Sequence, residues 1–292
     1  MVGSIPFAEP RWNGLFPVVG VPSPRRGHRV AWDTSRKRVL MFGGTSIDSA
    51  ADVWAFVPSP TPSWVQLLPT GTGPRGRTDP AIVYDTVGDR LIVIGGYGKS
   101  DDPFASPGPQ SDVWALDCAT NTWSRLNPTG AAPTLKAGLP AVFDAVRNRI
   151  LLLRSASDGG SVQLSLASMS WSVAPNTDIN GFSALFDPAT DRVVLFGGST
   201  ATNSNPNLST EFLDLTQGRW TSVNTVPLPP RRFNVGRPCF DTVRNRFVVF
   251  TGDNLTVEAV DALERDGDLD ATGDRRRGSV EVAVVHLLRP PT

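Results

Sequence analysis

Residues 32–56 read WDTSRKRVLMFGGTSIDSAADVWAF, and this stretch decides the fold. Trp32-Asp33 closes one strand, and Thr34-Ser35-Arg36-Lys37 is a polar turn. Arg38-Val39-Leu40-Met41-Phe42 is an apolar strand stopped by Gly43-Gly44. After a polar loop, Asp52-Val53-Trp54-Ala55-Phe56 makes a third strand and Trp64-Val65-Gln66-Leu67 a fourth. Short apolar runs bounded by Gly, Ser and Asp are what strands and their turns require.

The same unit recurs along the chain. The strand-closing aspartates are Asp33, Asp85, Asp144, Asp187 and Asp241, each followed after five residues by Arg38, Arg90, Arg149, Arg192 and Arg246. The arginines are 52, 59, 43 and 54 residues apart. A repeat of that length, with Gly-Gly after its second strand and Trp in its third and fourth, suits a four-stranded propeller blade. One such blade cannot bury both apolar faces, so the blades must stack around an axis.

The repeat resembles the kelch repeat, in the bacterial form related to the propeller of galactose oxidase. The resemblance rests on FGG at 42–44, IGG at 94–96 and FGG at 196–198, with DVWAF at 52–56, DVWAL at 112–116 and a weaker EFLDL at 211–215. It implies an all-β kelch-type propeller of four-stranded antiparallel blades; the repeats themselves predict a five-bladed ring, a departure from the six or seven blades common in that family, or six blades with a degenerate last one. The expected blades span about 25–72, 73–130, 131–176, 177–228 and 229–292. A strand at 10–18 closes the ring, because Trp12-Asn13-Gly14-Leu15-Phe16-Pro17 echoes the runs starting at Trp64 and Trp123. Closure removes two open sheet edges. The tail is less regular: residues 279–287 read as the third strand of blade five, with 253–278 as an insertion. Within it, Asp268 to Gly273 superficially matches the start of a calcium loop, but Ser279 stands where the closing glutamate belongs, so an acidic turn fits better.

Composition agrees with one repeat-built domain: 292 residues, 40% hydrophobic, with 27 glycines and 26 prolines for frequent turns. Formal net charge is zero, so no global field draws nucleic acid, and no apolar run is long enough to cross a bilayer. The N-terminus lacks the basic start and apolar core of a secretory signal, so the chain is cytoplasmic, or secreted if a signal has been removed. Cys118 and Cys239 fall at unrelated repeat positions and read as separate thiols.

Catalytic signatures are sparse. Galactose oxidase chemistry needs a copper site of tyrosines and histidines, and His28, His286, Tyr84 and Tyr97 are poorly placed for one. Phosphate-cradling loops, nucleophile elbows, zincin motifs and aspartate boxes are missing, so the reading includes no metal and no cofactor. A basic residue, however, recurs on the connection leading into most blades: Arg25, Arg26 and His28, then Arg75 and Arg77, then Lys136, then Arg231 and Arg232. In a propeller these connections ring the mouth of the channel, beside loops carrying Asp48, Asp52, Asp112 and Glu211. The candidate ligand-binding set is Arg26, His28, Arg75, Arg77, Lys136, Arg231, Arg232 and Tyr97, suited to a peptide carboxylate or a sugar. The competing structural reading pairs such arginines with Asp52 and Asp112 of adjacent blades. Blade three is the irregular copy, with Leu153-Arg154-Ser155 in place of Gly-Gly.

Function is read as a non-catalytic recognition module for a protein or glycan. The alternatives are a carbohydrate-active enzyme resembling kelch-type sialic acid mutarotases or propeller lyases, and a scaffold within a larger assembly.

Overall fold

The computed structural model describes residues 20–45, 50–100, 106–130, 133–188, 190–200, 203–206, 210–223, 239–241, 246–251 and 281–285. Their regular structure is strand, apart from one 3-10 turn at Ala156–Asp158. Blade one is the antiparallel sheet Arg26–Asp33, Arg38–Thr45, Val53–Val57 and Ser63–Leu67. Blade two is Ala81–Asp85, Arg90–Gly98, Gly108–Asp117 and Thr122–Leu126, with Arg77–Thr78 added beside the second strand. Blade three is Ala141–Asp144, Arg149–Leu152, Val162–Ser165 and Ser170–Val173. Blade four is Ser183–Asp187, Arg192–Phe196, Thr210–Asp214 and Arg219–Val223. A fifth sheet contains Cys239–Asp241, Arg246–Thr251 and Glu281–Val285. The strand expected at 10–18 and the segment 253–278 lie outside the described residues.

Side-chain alternation gives every blade two faces. One row recurs on the face toward the preceding blade: Tyr84, Leu91, Leu116 and Trp123 in blade two, then Phe143, Ile150, Leu164 and Trp171, then Phe186, Val193, Leu213 and Trp220. Each row packs against the opposite face of the blade before it. Leu40, Phe42, Val53 and Ala55 of blade one bury the row of blade two, with the Phe42 and Trp123 rings 5.8 Å apart. Ile92, Ile94, Val113 and Ala115 cover blade three, and Val142, Leu151 and Leu153 cover blade four. Fully burying a Val, Leu, Ile or Phe side chain among these stabilises by about 1.5–3 kcal/mol. The core therefore lies between blades, and stacking is what makes each sheet stable.

The lower turns are braced as their sequence suggests. Asp33 accepts from Arg38 Nε at 2.8 Å, Asp85 from Arg90 at 2.8 Å and Asp144 from Arg149 at 2.9 Å. The other carboxylate oxygen of each takes backbone N–H groups of its turn, at Arg36, at Val87 and Gly88, and at Arg147. Two turns also reach the next blade: Arg36 grips Asp89 with both ends of its guanidinium at 2.8 Å, and Arg147 grips Asp191 at 2.9 and 2.6 Å. At the junction of blades two and three, Gly88 and Asn148 hold the corresponding positions, so donor and acceptor are replaced together.

The register corrects one alignment. Leu195 pairs with Glu211 and Val193 with Leu213, as Val93 pairs with Trp114 and Leu91 with Leu116. TEFLD at 210–214 thus matches VWALD at 113–117, two residues from the alignment expected for EFLDL. An even shift leaves every side chain on its expected face, which is why the hydrophobic pattern could not reveal it.

Candidate functional site

Arg26 pairs with Thr45 across the first two strands of blade one, so lead-in connections and post-Gly-Gly loops share one end of each sheet. That end is the upper face. The lead-in connections interlock there: Asp79 N–H donates to the Gly27 carbonyl and Gly138 N–H to the Asp79 carbonyl, both at 2.7 Å. Gly27, Asp79 and Gly138 all adopt positive φ. Arg29 adds a salt bridge to Asp79 at 2.6 Å, tying the first two lead-ins together.

The Gly-Gly, Asp-x-Trp and arginine signals belong to one device. Arg77 is 1% exposed and donates to Asp112 at 2.5 and 3.0 Å, to the Gly95 carbonyl at 3.0 Å and to the Arg75 carbonyl at 3.0 Å. Asp112 also accepts from the Trp114 indole at 2.7 Å. Blade one repeats this with Arg25, Asp52, the Gly43 carbonyl and Trp54. Burial alone would raise the carboxyls of Asp52 and Asp112, but their arginine and indole donors bring both below the usual carboxylate range. The second glycine lets the chain pass: at Gly96, φ +101°, a Cβ would stand 2.8 Å from the Thr78 carbonyl. Blade three is built differently: Arg154, at the first-glycine position, donates to the Gly160 carbonyl at 2.7 Å and to the Thr134 carbonyl at 2.9 Å, and Ser155 stands at the second.

Two expectations change accordingly. Arg77 is a buried strut whose donors are spent on its own blade, and it is withdrawn from the ligand-binding set. The acids paired with such arginines, Asp52 and Asp112, belong to the same blade as their arginine rather than to an adjacent one. Arg26 and Arg75 are exposed on the upper face, as is Lys136. His28 is half-buried, and burial is the chief cause that lowers its pKa. Its Nδ1 and the Arg29 Nε are buried without a hydrogen-bond partner. Tyr97 is 47% exposed on an upward extension of blade two, where it pairs with Thr78 and Pro109. Blade four has a matching extension formed by Ile179–Asn180, Ser199–Thr200 and Asn203–Pro206. Arg231 and Arg232 lie outside the described residues. Sequence reasoning missed Arg29 and Asp79, because neither recurs at an equivalent place in the other repeats. Among the described residues no three metal-ligating side chains cluster.

Blades of this construction, stacked in chain order with an arginine strut beneath the Gly-Gly turns of blades one and two, define an all-β kelch-repeat propeller. Residues 6–180 match the family described as the KLHDC2/KLHL20/DRC7 Kelch-repeats domain, and the chain belongs to that family. It is 26% identical over 159 residues to Kelch domain-containing protein 2 of Bos taurus, covering 52% of this chain and 37% of that protein. It is 31% identical over 96 residues to Multiple epidermal growth factor-like domains protein 8 of Rattus norvegicus, covering 32% of this chain and 3% of that protein. The chain therefore spans only a part of each of these relatives.

Proposed function

We propose that this propeller is a non-catalytic recognition module that binds a partner protein on its upper face. Kelch propellers generally bind proteins, and membership of the family supports that class of function. The observation that carries the choice of face is the contrast between the two ends of the blades. Below, the Asp–Arg turns are committed to holding the fold. Above, Tyr97, Arg26, Arg75 and Lys136 project to solvent around connections that differ from blade to blade. Exposed side chains on loops held by a rigid scaffold are the usual material of a binding site. Five blades, with residues 10–18 as the outer strand of the fifth, complete the proposed ring. A closer kinship with bacterial, galactose oxidase-related propellers rests on the sequence motifs alone.

A glycan-directed reading uses the same mouth. Its support is the Arg29–Asp79 pair, an arginine and a carboxylate side by side at the lead-ins with buried nitrogens beside them.

The test is affinity purification from cells with three forms of the chain. Tyr97→Ala/Arg75→Glu should lose the partner captured by the wild type while keeping its melting temperature. Val87→Lys/Val146→Lys, at the exposed tips of the lower turns, should keep it. Loss through the lower-face pair alone would refute the assignment of the face, and turnover of a sugar by the purified protein would refute the non-catalytic reading.

A further inference from the structure

Each of the first four lead-ins turns into its blade through a residue of positive φ, six positions before the aspartate that closes the first strand. Gly27, Gly138 and Gly181 hold this position in blades one, three and four, at φ +69°, +83° and +67°. Blade two has Asp79 there, at φ +52°. The interlock fixes the turn, since Asp79 N–H donates to the Gly27 carbonyl and the Asp79 carbonyl accepts from Gly138. Aspartate tolerates a left-handed backbone better than most residues, but only glycine adopts it without a Cβ penalty. Pro80 follows Asp79, and proline biases the residue before it toward extended backbone. No proline follows the three glycines. Among the described residues, the other non-glycine positions of positive φ are Lys37, Asp89, Asn121, Asn148, Met169 and Asp191, all in the lower turns. Asp79 is the strained side-chain-bearing residue of the upper face.

The fold gains little from that strain. The Arg29–Asp79 salt bridge joins two lead-ins that a backbone hydrogen bond already joins, and Gly138 makes the same backbone bond at the next junction with no side chain to help it. The two side chains are 20% and 37% exposed, where an ion pair adds little stability. Arg29 occupies Oδ1 of Asp79, and among the described residues no donor reaches Oδ2. Gly27 leaves Oδ2 uncovered, because a Cβ there would stand 3.0 Å from it. Strained residues that the fold itself does not require gather at binding sites. Arg26, Arg75 and Lys136 are exposed on the same face. Their field opposes a further cation beside Asp79, which leaves a neutral donor as the group that suits Oδ2.

We propose that Asp79 is the specificity-determining acceptor of the upper face, and that its Oδ2 takes a hydrogen bond from a neutral donor of the partner protein, an amide N–H or a Ser or Thr hydroxyl. The inference rests on the upper-face reading given above and adds the atom the partner meets and the chemistry it brings. Arg29 is a positioning residue here: it holds Oδ1 and leaves Oδ2 for the partner.

The test uses the full chain and a phage-displayed library of random dodecapeptides selected on the wild type. Peptides whose binding is lost on Tyr97→Ala/Arg75→Glu are upper-face probes, and their affinities follow from fluorescence anisotropy. Asp79→Gly should bind them at least about tenfold more weakly, the loss expected for one hydrogen bond to a charged group. It should also melt no lower than the wild type, since glycine relieves the strained turn. Asp79→Ala, which loses the acceptor and keeps the strain, should bind as weakly and melt lower than Asp79→Gly. Asp79→Asn, which keeps a neutral acceptor, should recover part of the affinity. Undiminished binding to Asp79→Gly overturns the proposal. So does a melting temperature for Asp79→Gly as low as that of Asp79→Ala, which would make Asp79 a strut. If every selected peptide still binds Tyr97→Ala/Arg75→Glu, the upper-face reading itself falls, and the proposal with it.

Discussion

Replacing Arg77 with alanine removes four hydrogen bonds from a side chain almost wholly inside the protein. Asp112, with its side chain 11% exposed, would keep the Trp114 indole but lose its charge partner. Breaking a buried ion pair from one side costs about 3–5 kcal/mol, because the remaining charge stays desolvated and unpaired. The same change at Arg25 should cost less, since Asp52 is 23% exposed and water can reach it. Removing both partners as Arg77→Leu/Asp112→Leu strands no charge. Its cost should come from the Gly95 carbonyl and the Trp114 N–H, on the order of 1–3 kcal/mol. Urea unfolding followed by tryptophan fluorescence reads these differences as shifts of midpoint at constant slope.

The pH dependence supplies a second check. Asp112 titrates below its unfolded value, so its contribution is present above pH ~4 and fades as pH falls toward its folded pKa. The gap between wild type and Arg77→Ala should therefore be widest near neutrality and narrow in acid. A single substitution costing less than about 1 kcal/mol, or a double variant clearly worse than the single one, would refute the assignment of Arg77 as a strut.

Other expectations follow from the turns. Asp89 is held at about 2, first by its hydrogen bonds from Arg36 and then by that from Tyr84. Asp89→Asn should lower the melting temperature slightly at neutral pH, as expected of a partly exposed pair, and the difference should vanish as pH falls from ~4 toward 2. Gly96→Ala should destabilise by about 1–3 kcal/mol in thermal unfolding, because it combines a left-handed backbone with a carbonyl 2.8 Å from the new Cβ. Exchanging the charges of one clasp should show coupling: Arg147→Asp and Asp191→Arg should each destabilise, and the double exchange should recover part of the loss in a double-mutant cycle.

The blade repeat was legible because it rests on local chemistry. A carboxylate that closes a strand and takes the N–H groups of the following turn must be Asp at a fixed distance from its arginine, and the five-residue spacing records that. The tryptophans recur because each fourth strand offers the same place in the layer between blades. The roles of the lead-in arginines were not legible. Arg25, Arg26, Arg75 and Arg77 look alike in sequence, yet Arg25 and Arg77 point beneath the Gly-Gly turn while Arg26 and Arg75 remain exposed. That choice depends on which side chain the strand alternation aims at the Asp-x-Trp carboxylate. Bond-forming partners from 27 to 35 residues away cannot be read from spacing within one lead-in.

The strut also explains why the motifs travel together. Gly95 must present its carbonyl to Arg77, and Asp112, in the bulge of the neighbouring strand, must complete the grip. Remove the Asp-x-Trp strand pattern and the arginine would be buried without a counter-ion; remove the arginine and the aspartate would be. Blade three has Arg154-Ser155 in place of Gly-Gly and has no Asp-x-Trp; Gly160 holds the aspartate position, and Ser161, at the Val113 position, exchanges hydrogen bonds with the Arg154 backbone at 2.9 Å. The guanidinium itself starts from the first-glycine position and donates to the backbone carbonyls of Gly160 and Thr134. Motif loss in this repeat is therefore concerted substitution: the blade keeps an arginine beneath its upper turn by a different route, and the lead-in surface above it is left free to vary.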